Sequence, residues 1–95
     1  MFTIYVSYHC YPQKREAFLE KMKQTGIADA IRAEDGCIMY DYYLSEKDPD
    51  NILLIEQWES KEHQKIHIEQ PHMAKMREFK NDYIAKTTLG EITFK

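Results

Sequence analysis

The 95-residue chain has few of the features that mark a membrane, nucleic-acid or nucleotide-dependent function. No apolar run approaches the roughly 20 residues that a membrane-spanning helix needs. The formal net charge of −3 comes from well-mixed signs, without a Lys/Arg stripe that would neutralise phosphates. With only three glycines, the chain also has no Gly-rich phosphate loop. The sequence therefore predicts neither a membrane partner nor a nucleic-acid partner.

Signals for export and for disulfide bonding are also missing. Residues 1–6 (MFTIYV) contain neither a basic segment nor a small-residue cleavage site. We therefore expect a cytoplasmic protein, in which Cys10 and Cys37 are reduced thiols and act as small, at least partly buried hydrophobic groups.

Bulky apolar side chains, by contrast, are abundant. Hydrophobic residues make up 43% of the chain, with seven tyrosines, four phenylalanines and one tryptophan. A disordered chain would not carry this much apolar surface, and the length suits one core. The composition predicts a single folded domain over residues 1–95.

Apolar alternation and turn signals predict elements in the order β-α-β-β-α-β. We expect an irregularity in the first helix at Gly26, a break or kink in the second at Pro71, and a bulge in the last strand at Gly90. The order is that of a ferredoxin-like α+β fold, with two helices on one face of a four-stranded antiparallel sheet. The predicted strands are Phe2–Cys10, Cys37–Leu44, Ile52–Glu59 and Thr87–Phe94, and the predicted helices run over Arg15–Arg32 and onward from Ser60.

The predicted strands carry apolar residues on both sides, which a sheet with one wet face would not show. On the third strand, Leu53 and Ile55 alternate with Ile52 and Leu54. Since the helices cover only one face, the other face needs a partner. We predict a homodimer packed sheet to sheet with two-fold symmetry.

Four motifs follow one another in the order found in one protein family. They are Glu34-Asp-Gly36-Cys37 with an aromatic at Tyr40, then Glu56-x-Trp58, then His67 on the second helix, then Pro71-His72. Over nearly the whole chain this pattern resembles the antibiotic biosynthesis monooxygenase family of dimeric α+β barrels. The resemblance implies a dimeric barrel with a small-molecule pocket between sheet and helices.

The family's reactions vary, so the fold alone does not choose among them. Members include cofactor-free oxygenases of quinols and polyketide aromatics, haem-degrading enzymes, and an isomerase of a phosphorylated autoinducer sugar. The positions that serve haem degradation correspond here to Ser7, His67 and Arg77, which disfavours that reaction. The resemblance favours a monooxygenase of a small aromatic or quinol substrate that needs no cofactor. The alternatives are an isomerase of a phosphorylated hydroxy-dione sugar and a small-molecule binding protein without turnover.

His67 is the predicted catalytic residue. It matches the family's helix histidine and lies beside Ile66 at the border of an apolar face. A histidine there can take a proton from a phenol or an α-hydroxy ketone near neutral pH. The competing interpretation is a structural histidine with no reactive neighbour.

Six further residues are predicted to bind substrate, each with packing or solvent exposure as the competing interpretation. If the side of the first strand that carries Tyr5 and Ser7 faces the helices, both line the pocket. Glu56 is interpreted instead as a structural residue that pairs with another side chain near the dimer interface, because a buried carboxylate needs a partner. The six are Tyr5, Ser7, Tyr40, Trp58, His72 and Met73.

The spacing of His63 and His67 raises the question of a metal site. Residues four apart lie on the same side of a helix, as in a two-histidine site. The sequence shows no adjoining glutamate of the His-Glu-x-x-His type and no third ligand. We therefore expect no metal.

Overall fold

The computed structural model describes residues 1–94 and contains four strands and four helices over that range. The strands form one antiparallel sheet in the order β2-β3-β1-β4, which confirms the ferredoxin-like α+β fold. The elements are β1 Phe2–Cys10, α1 Arg15–Gln24, α2 Ile27–Arg32, β2 Cys37–Leu44, β3 Asn51–Trp58, α3 Lys61–Ile68, α4 Pro71–Lys80 and β4 Ile84–Ile92.

Both predicted helices are in two pieces. The sequence indicated the break at Pro71, and at Gly26 it indicated an irregularity within one helix. Gly26 has φ +73°, a left-handed conformation that glycine adopts at little cost, and it separates α1 from α2. Pro71 is the first residue of α4, where its missing N–H is not needed and its fixed φ suits a helix start.

The core lies between the helices and one face of the sheet. Phe18 and Ile31 from the helices are fully buried, as are Ile52 and Leu54 from β3. The ring of Tyr8 on β1 meets Phe18 edge to face at 5.6 Å between centroids. Strand residues two apart therefore share the covered face.

The side of β1 that faces the helices is not the side that the predicted pocket requires. Ile4, Val6 and Tyr8 face the helices, while Tyr5 and Ser7 point to the opposite face. The expectation that Tyr5 and Ser7 line the pocket is therefore wrong. The helices cover the side with Phe2, Ile4, Val6 and Tyr8, which is the more apolar side of the strand and the one that burial favours.

The last strand begins earlier than predicted and is regular at Gly90. β4 runs over Ile84–Ile92, and the shift in register lies between His9 and Cys10 of β1 instead. Gly90 pairs directly with Tyr5, and a Cβ built on Gly90 would lie 2.8 Å from the tyrosine ring. The glycine therefore makes room for an aromatic neighbour, and the predicted bulge at Gly90 is wrong.

Candidate functional site

A cavity of about 260 Å³ lies between the sheet and helices α3 and α4. Its apolar walls come from β1 and α4, while its polar groups come from β3, α3 and α4. The wall residues that matter below are Ile4, Val6, Met73, Met76, Glu56, His67, Arg77 and Lys80.

Two other depressions lack comparable chemistry. One of about 290 Å³ is bounded by α1, α2 and Tyr42, and one of about 420 Å³ lies along α4 from Pro71 to Glu78. Neither is lined by His67 or Glu56. We therefore take the cavity between the sheet and α3/α4, called the central pocket below, as the candidate site.

Local sequence places His67 in this pocket. Ser60 begins α3 as its N-cap, and its hydroxyl oxygen accepts the His63 backbone N–H at 3.2 Å. His67 then falls in the last turn of α3 and turns inward, with 2% of its surface exposed. Its ring lies 4.6 Å from that of Trp58 between centroids, with the planes inclined by 31°.

Glu34 holds the imidazole of His67 from the other side. It lies in the turn between α2 and β2, and its Oε2 is 2.8 Å from His67 Nδ1. The same oxygen is 2.7 Å from Nε2 of His72 in the first turn of α4. One carboxylate thus fixes two histidines from two helices.

The hydrogen bond to Glu34 also orients the proton on His67. Because a carboxylate accepts, neutral His67 carries its proton on Nδ1 and has a lone pair on Nε2. Burial lowers the pKa of His67, and the hydrogen bond and charge of Glu34 offset only part of that effect. The neutral form, which can accept a proton, is therefore favoured near neutral pH.

Glu56 is the second buried ionisable group of the pocket. It lies on β3 with 5% of its surface exposed, and its Oε1 accepts the Trp58 indole N–H at 3.1 Å. The same oxygen is 3.9 Å from Nε2 of His67. Burial raises the pKa of Glu56 to about 7, and the indole hydrogen bond opposes this only in part. The carboxyl group lines the central pocket, which corrects its assignment to the dimer interface.

The structure brings together most of the predicted substrate-binding residues. Trp58 and Tyr40 are buried beside the His67 ring, and Met73 lines the central pocket. His72 reaches Glu34 but does not line that pocket. Ser7 lies on the far face of the sheet, where its hydroxyl accepts from Asn51 at 2.9 Å. The binding roles of Trp58, Tyr40, Met73 and His72 stay predictions.

Within residues 1–94, two groups of side chains could offer ligands to a metal ion. Donor atoms of Glu34, His67 and His72 lie within 4.8 Å of one another, and a second, more exposed group joins Asp35, Glu59 and His63. The two histidines compared in the sequence thus belong to different groups. In the first group the separations of 2.7 and 2.8 Å are those of hydrogen bonds to a carboxylate, which account for the arrangement.

Glu34, Arg77 and Lys80 were not among the predicted site residues, although Arg77 corresponds to a position that serves haem degradation in the family. Glu34 stood within the motif Glu34-Asp-Gly36-Cys37 without a role of its own. Arg77 and Lys80 lie one turn apart on α4 and line the pocket. Only their spacing could have suggested a shared side, and nothing in the sequence tells which side faces a cavity.

Comparison with known proteins agrees with this architecture. The model of the antibiotic biosynthesis monooxygenase family matches residues 1–78. No curated protein sequence matches the chain. Within residues 1–94, no helix is both long and apolar enough to cross a bilayer.

Several solved structures share the fold. One is an antibiotic biosynthesis monooxygenase, 20% identical, with a TM-score of 0.85 over 99% of this chain and 98% of the other. A Pseudomonas aeruginosa protein is 19% identical, with a TM-score of 0.85 over 98% and 92% of the two chains. A conserved Methanosarcina mazei protein is 21% identical, with a TM-score of 0.84 over 100% and 95%. The family match covers most of the sequence, and the chain belongs to the antibiotic biosynthesis monooxygenase family.

Proposed function

We propose that this protein is a cofactor-independent monooxygenase of a small electron-rich aromatic such as a hydroquinone. The observation that carries the proposal is His67, which is buried in the wall of the central pocket and held by Glu34 at 2.8 Å. A neutral, oriented imidazole is suited to general-base catalysis. Membership of the family supports the reaction class.

The proposed reaction begins when Nε2 of His67 takes a phenolic proton. The resulting anion is more electron-rich than the phenol and reduces dioxygen directly. One oxygen atom joins the ring and the other leaves as water, so that hydroquinone and O₂ give hydroxyquinone and H₂O. The four electrons that O₂ accepts all come from the substrate, and no external reductant is required.

The chain's own residues supply position and apolar walls for this chemistry. Ile4, Val6 and Met73 form apolar walls of the pocket, and Trp58 lies beside the imidazole. Apolar walls limit the access of water to the phenolate and strengthen electrostatic contacts around it. In this proposal Glu34 is a positioning residue, since it acts through His67.

Oxygen uptake with a panel of hydroquinones tests the proposal. We expect the wild-type protein to consume O₂ and His67→Ala to lose activity by roughly 10²- to 10⁴-fold, the usual contribution of a general base. The matched control is His63→Ala, on the same helix but hydrogen-bonded to Ser60 and outside the pocket. Unchanged uptake in His67→Ala would refute the assigned base. A ligand retained unconverted in the purified protein would favour binding without turnover.

One observation favours a second candidate, an isomerase of a phosphorylated hydroxy-dione sugar. Arg77 and Lys80 line the same pocket as His67, and paired cations suit a phosphate group. Histidine-mediated proton shuttling would serve isomerisation as well as oxygenation. Conversion of such a substrate without O₂ uptake, weakened in Arg77→Ala, would support this candidate over the oxygenase.

We also propose that residues 1–95 form one domain that acts as a cytoplasmic homodimer. The uncovered face of the sheet carries Tyr5, Tyr43, Leu53 and Ile55 with their side chains partly exposed. A second copy would cover this face, and a two-fold axis lets the same patch serve both subunits. The two cysteines are unpaired, which is consistent with a reducing compartment.

A further inference from the structure

The central pocket contains a second proton-transfer group besides His67. Glu56 lines the pocket, and its Oε1 lies 3.9 Å from Nε2 of His67, the nitrogen that Glu34 leaves free. This separation is longer than a hydrogen bond, so one substrate oxygen can contact both groups. Within residues 1–94, the one hydrogen bond to Glu56 comes from Trp58 and reaches Oε1. Oε2 is therefore available to a ligand.

The groups that surround Glu56 come from every layer of the site. Tyr8 of β1 and Tyr40 and Tyr42 of β2 lie on the same covered face, with burial raising the pKa of each tyrosine. Glu34 contacts His67, and Arg77 and Lys80 of α4 line the same pocket as Glu56. The tyrosines stay neutral near pH 7, which leaves His67 and Glu56 as the pair able to exchange protons there.

The proposed oxygenation requires proton transfers in two directions. After the base removes the phenolic proton, O₂ adds to a ring carbon as a peroxide. The peroxide oxygen takes the phenolic proton back from His67 to give a hydroperoxide. Collapse of the hydroperoxide breaks the O–O bond and forms the new carbonyl as the ring C–H proton passes to His67, and the departing hydroxide takes a proton from an acid to form water. A base and an acid at adjacent positions can perform these steps without rearrangement.

We propose that Glu56 is a catalytic residue that donates a proton to the departing oxygen and regains it through His67. The inference rests on the proposed function and adds to it the acid partner. A carboxyl group in an apolar pocket can stay protonated near neutral pH, as an acid catalyst must. The raised pKa of about 7 agrees with this geometry.

The structural alternative is that Glu56 only accepts the indole N–H of Trp58. Glu56→Gln separates the two roles, because an amide oxygen accepts the same hydrogen bond in the same volume but transfers no proton. The matched control is Glu59→Gln, one residue beyond β3 with its side chain 61% exposed.

Steady-state kinetics with a hydroquinone are the first measurement. We expect Glu56→Gln to lower kcat by about 10²-fold or more, to change KM by less than about threefold, and to remove one limb of the pH profile of kcat. Glu59→Gln should match the wild type. Trp58→Phe, which removes the indole donor and keeps the carboxyl group, should lose less activity than Glu56→Gln. Equal kcat in Glu56→Gln and the wild type would overturn the inference.

Infrared difference spectra on binding of 4-nitrophenol give a readout that needs no turnover. We expect a carboxylic-acid C=O band to change in the wild type, and that band to be missing in Glu56→Gln. No change in the band on phenol binding, or no phenol binding by the wild type, would overturn the role of Glu56. A changed band in a protein that takes up no O₂ would support the Glu56 contact while refuting the monooxygenase, so the two failures are distinguishable.

Discussion

The two faces of the sheet differ although the same strands build both. On β3, Ile52, Leu54 and Trp58 lie under the helices and are fully buried, whereas Leu53 and Ile55 on the other side are partly exposed. The covered face also carries Glu56, and His67 of α3 packs over it; burial shifts the pKa of both groups. A neighbouring layer of helices thus turns one side of an ordinary apolar strand into a site, while the other side keeps surface for association.

The difference arises from desolvation. A carboxyl group or an imidazole on an open face keeps its hydration and an ordinary pKa, but the same group under two helices loses water that favours its charged form. Burial raises the pKa of Glu56 on the covered face and lowers the pKa of His67, which packs over it. Both shifts favour the neutral forms, which suits one as an acid and the other as a base.

The largest expected effect is on the free energy of unfolding, and it compares the packing of the two faces of the sheet. Ile52→Ala removes a fully buried side chain and should lower the free energy of unfolding by roughly 2–5 kcal/mol. Leu53→Ala, the next residue on the other face, should cost the separate subunit less than about half of that because its side chain is already partly hydrated there. Urea unfolding followed by circular dichroism gives both values. Equal losses would mean that the uncovered face is packed as tightly as a core, as in an obligate dimer.

A somewhat smaller effect concerns pH. Because Glu56 binds its proton more tightly in the folded protein, its contribution to stability is complete below its ordinary pKa of 4.5 and is lost as the pH rises through about 7. The loss amounts to roughly 3 kcal/mol at most. Glu56→Gln should remove this fall, so that the difference in unfolding free energy between variant and wild type changes between pH 5 and pH 8.

His67 acts in the opposite direction and provides a check on that prediction. Its folded-state pKa is lowered, so its contribution is present above its ordinary pKa of 6.5 and is lost as the pH falls. The wild type and Glu56→Gln share the contribution of His67, which cancels when their free energies of unfolding are compared. A pH dependence identical in wild type and Glu56→Gln would contradict the buried, proton-binding state of Glu56.

The smallest expected effect concerns association through the uncovered face. Leu53→Lys places a charge in the proposed dimer interface and should weaken the dimer by about 10- to 100-fold, or roughly 1–3 kcal/mol. Gln24→Lys, on the exposed side of α1, is the control and should leave association unchanged. Sedimentation velocity over a micromolar concentration range measures both. A wild-type protein that is monomeric throughout this range would rule out the proposed dimer.

The positions at which the helices break could be predicted from the sequence, because Gly26 and Pro71 act on their own backbone. Gly26 permits the left-handed φ that separates two helices. Pro71 suits the first position of a helix, because the N–H that proline lacks is not needed there. The ends of β4 were not predictable in the same way. Ile84 joins the strand by pairing with Cys10, and Phe94 lies beyond its end. Such pairing depends on a partner strand more than 70 positions away.

The amino-acid sequence by itself determined the order of strands and helices, the family, and His67 as the histidine of interest. Only the tertiary structure decided which groups meet at the pocket. Glu34 is 33 positions from His67, and the 2.8 Å contact between them forms only when α3 docks on the sheet. The physical reason is that periodicity fixes which residues share a face, whereas burial, and with it the protonation of His67 and Glu56, depends on what packs against that face.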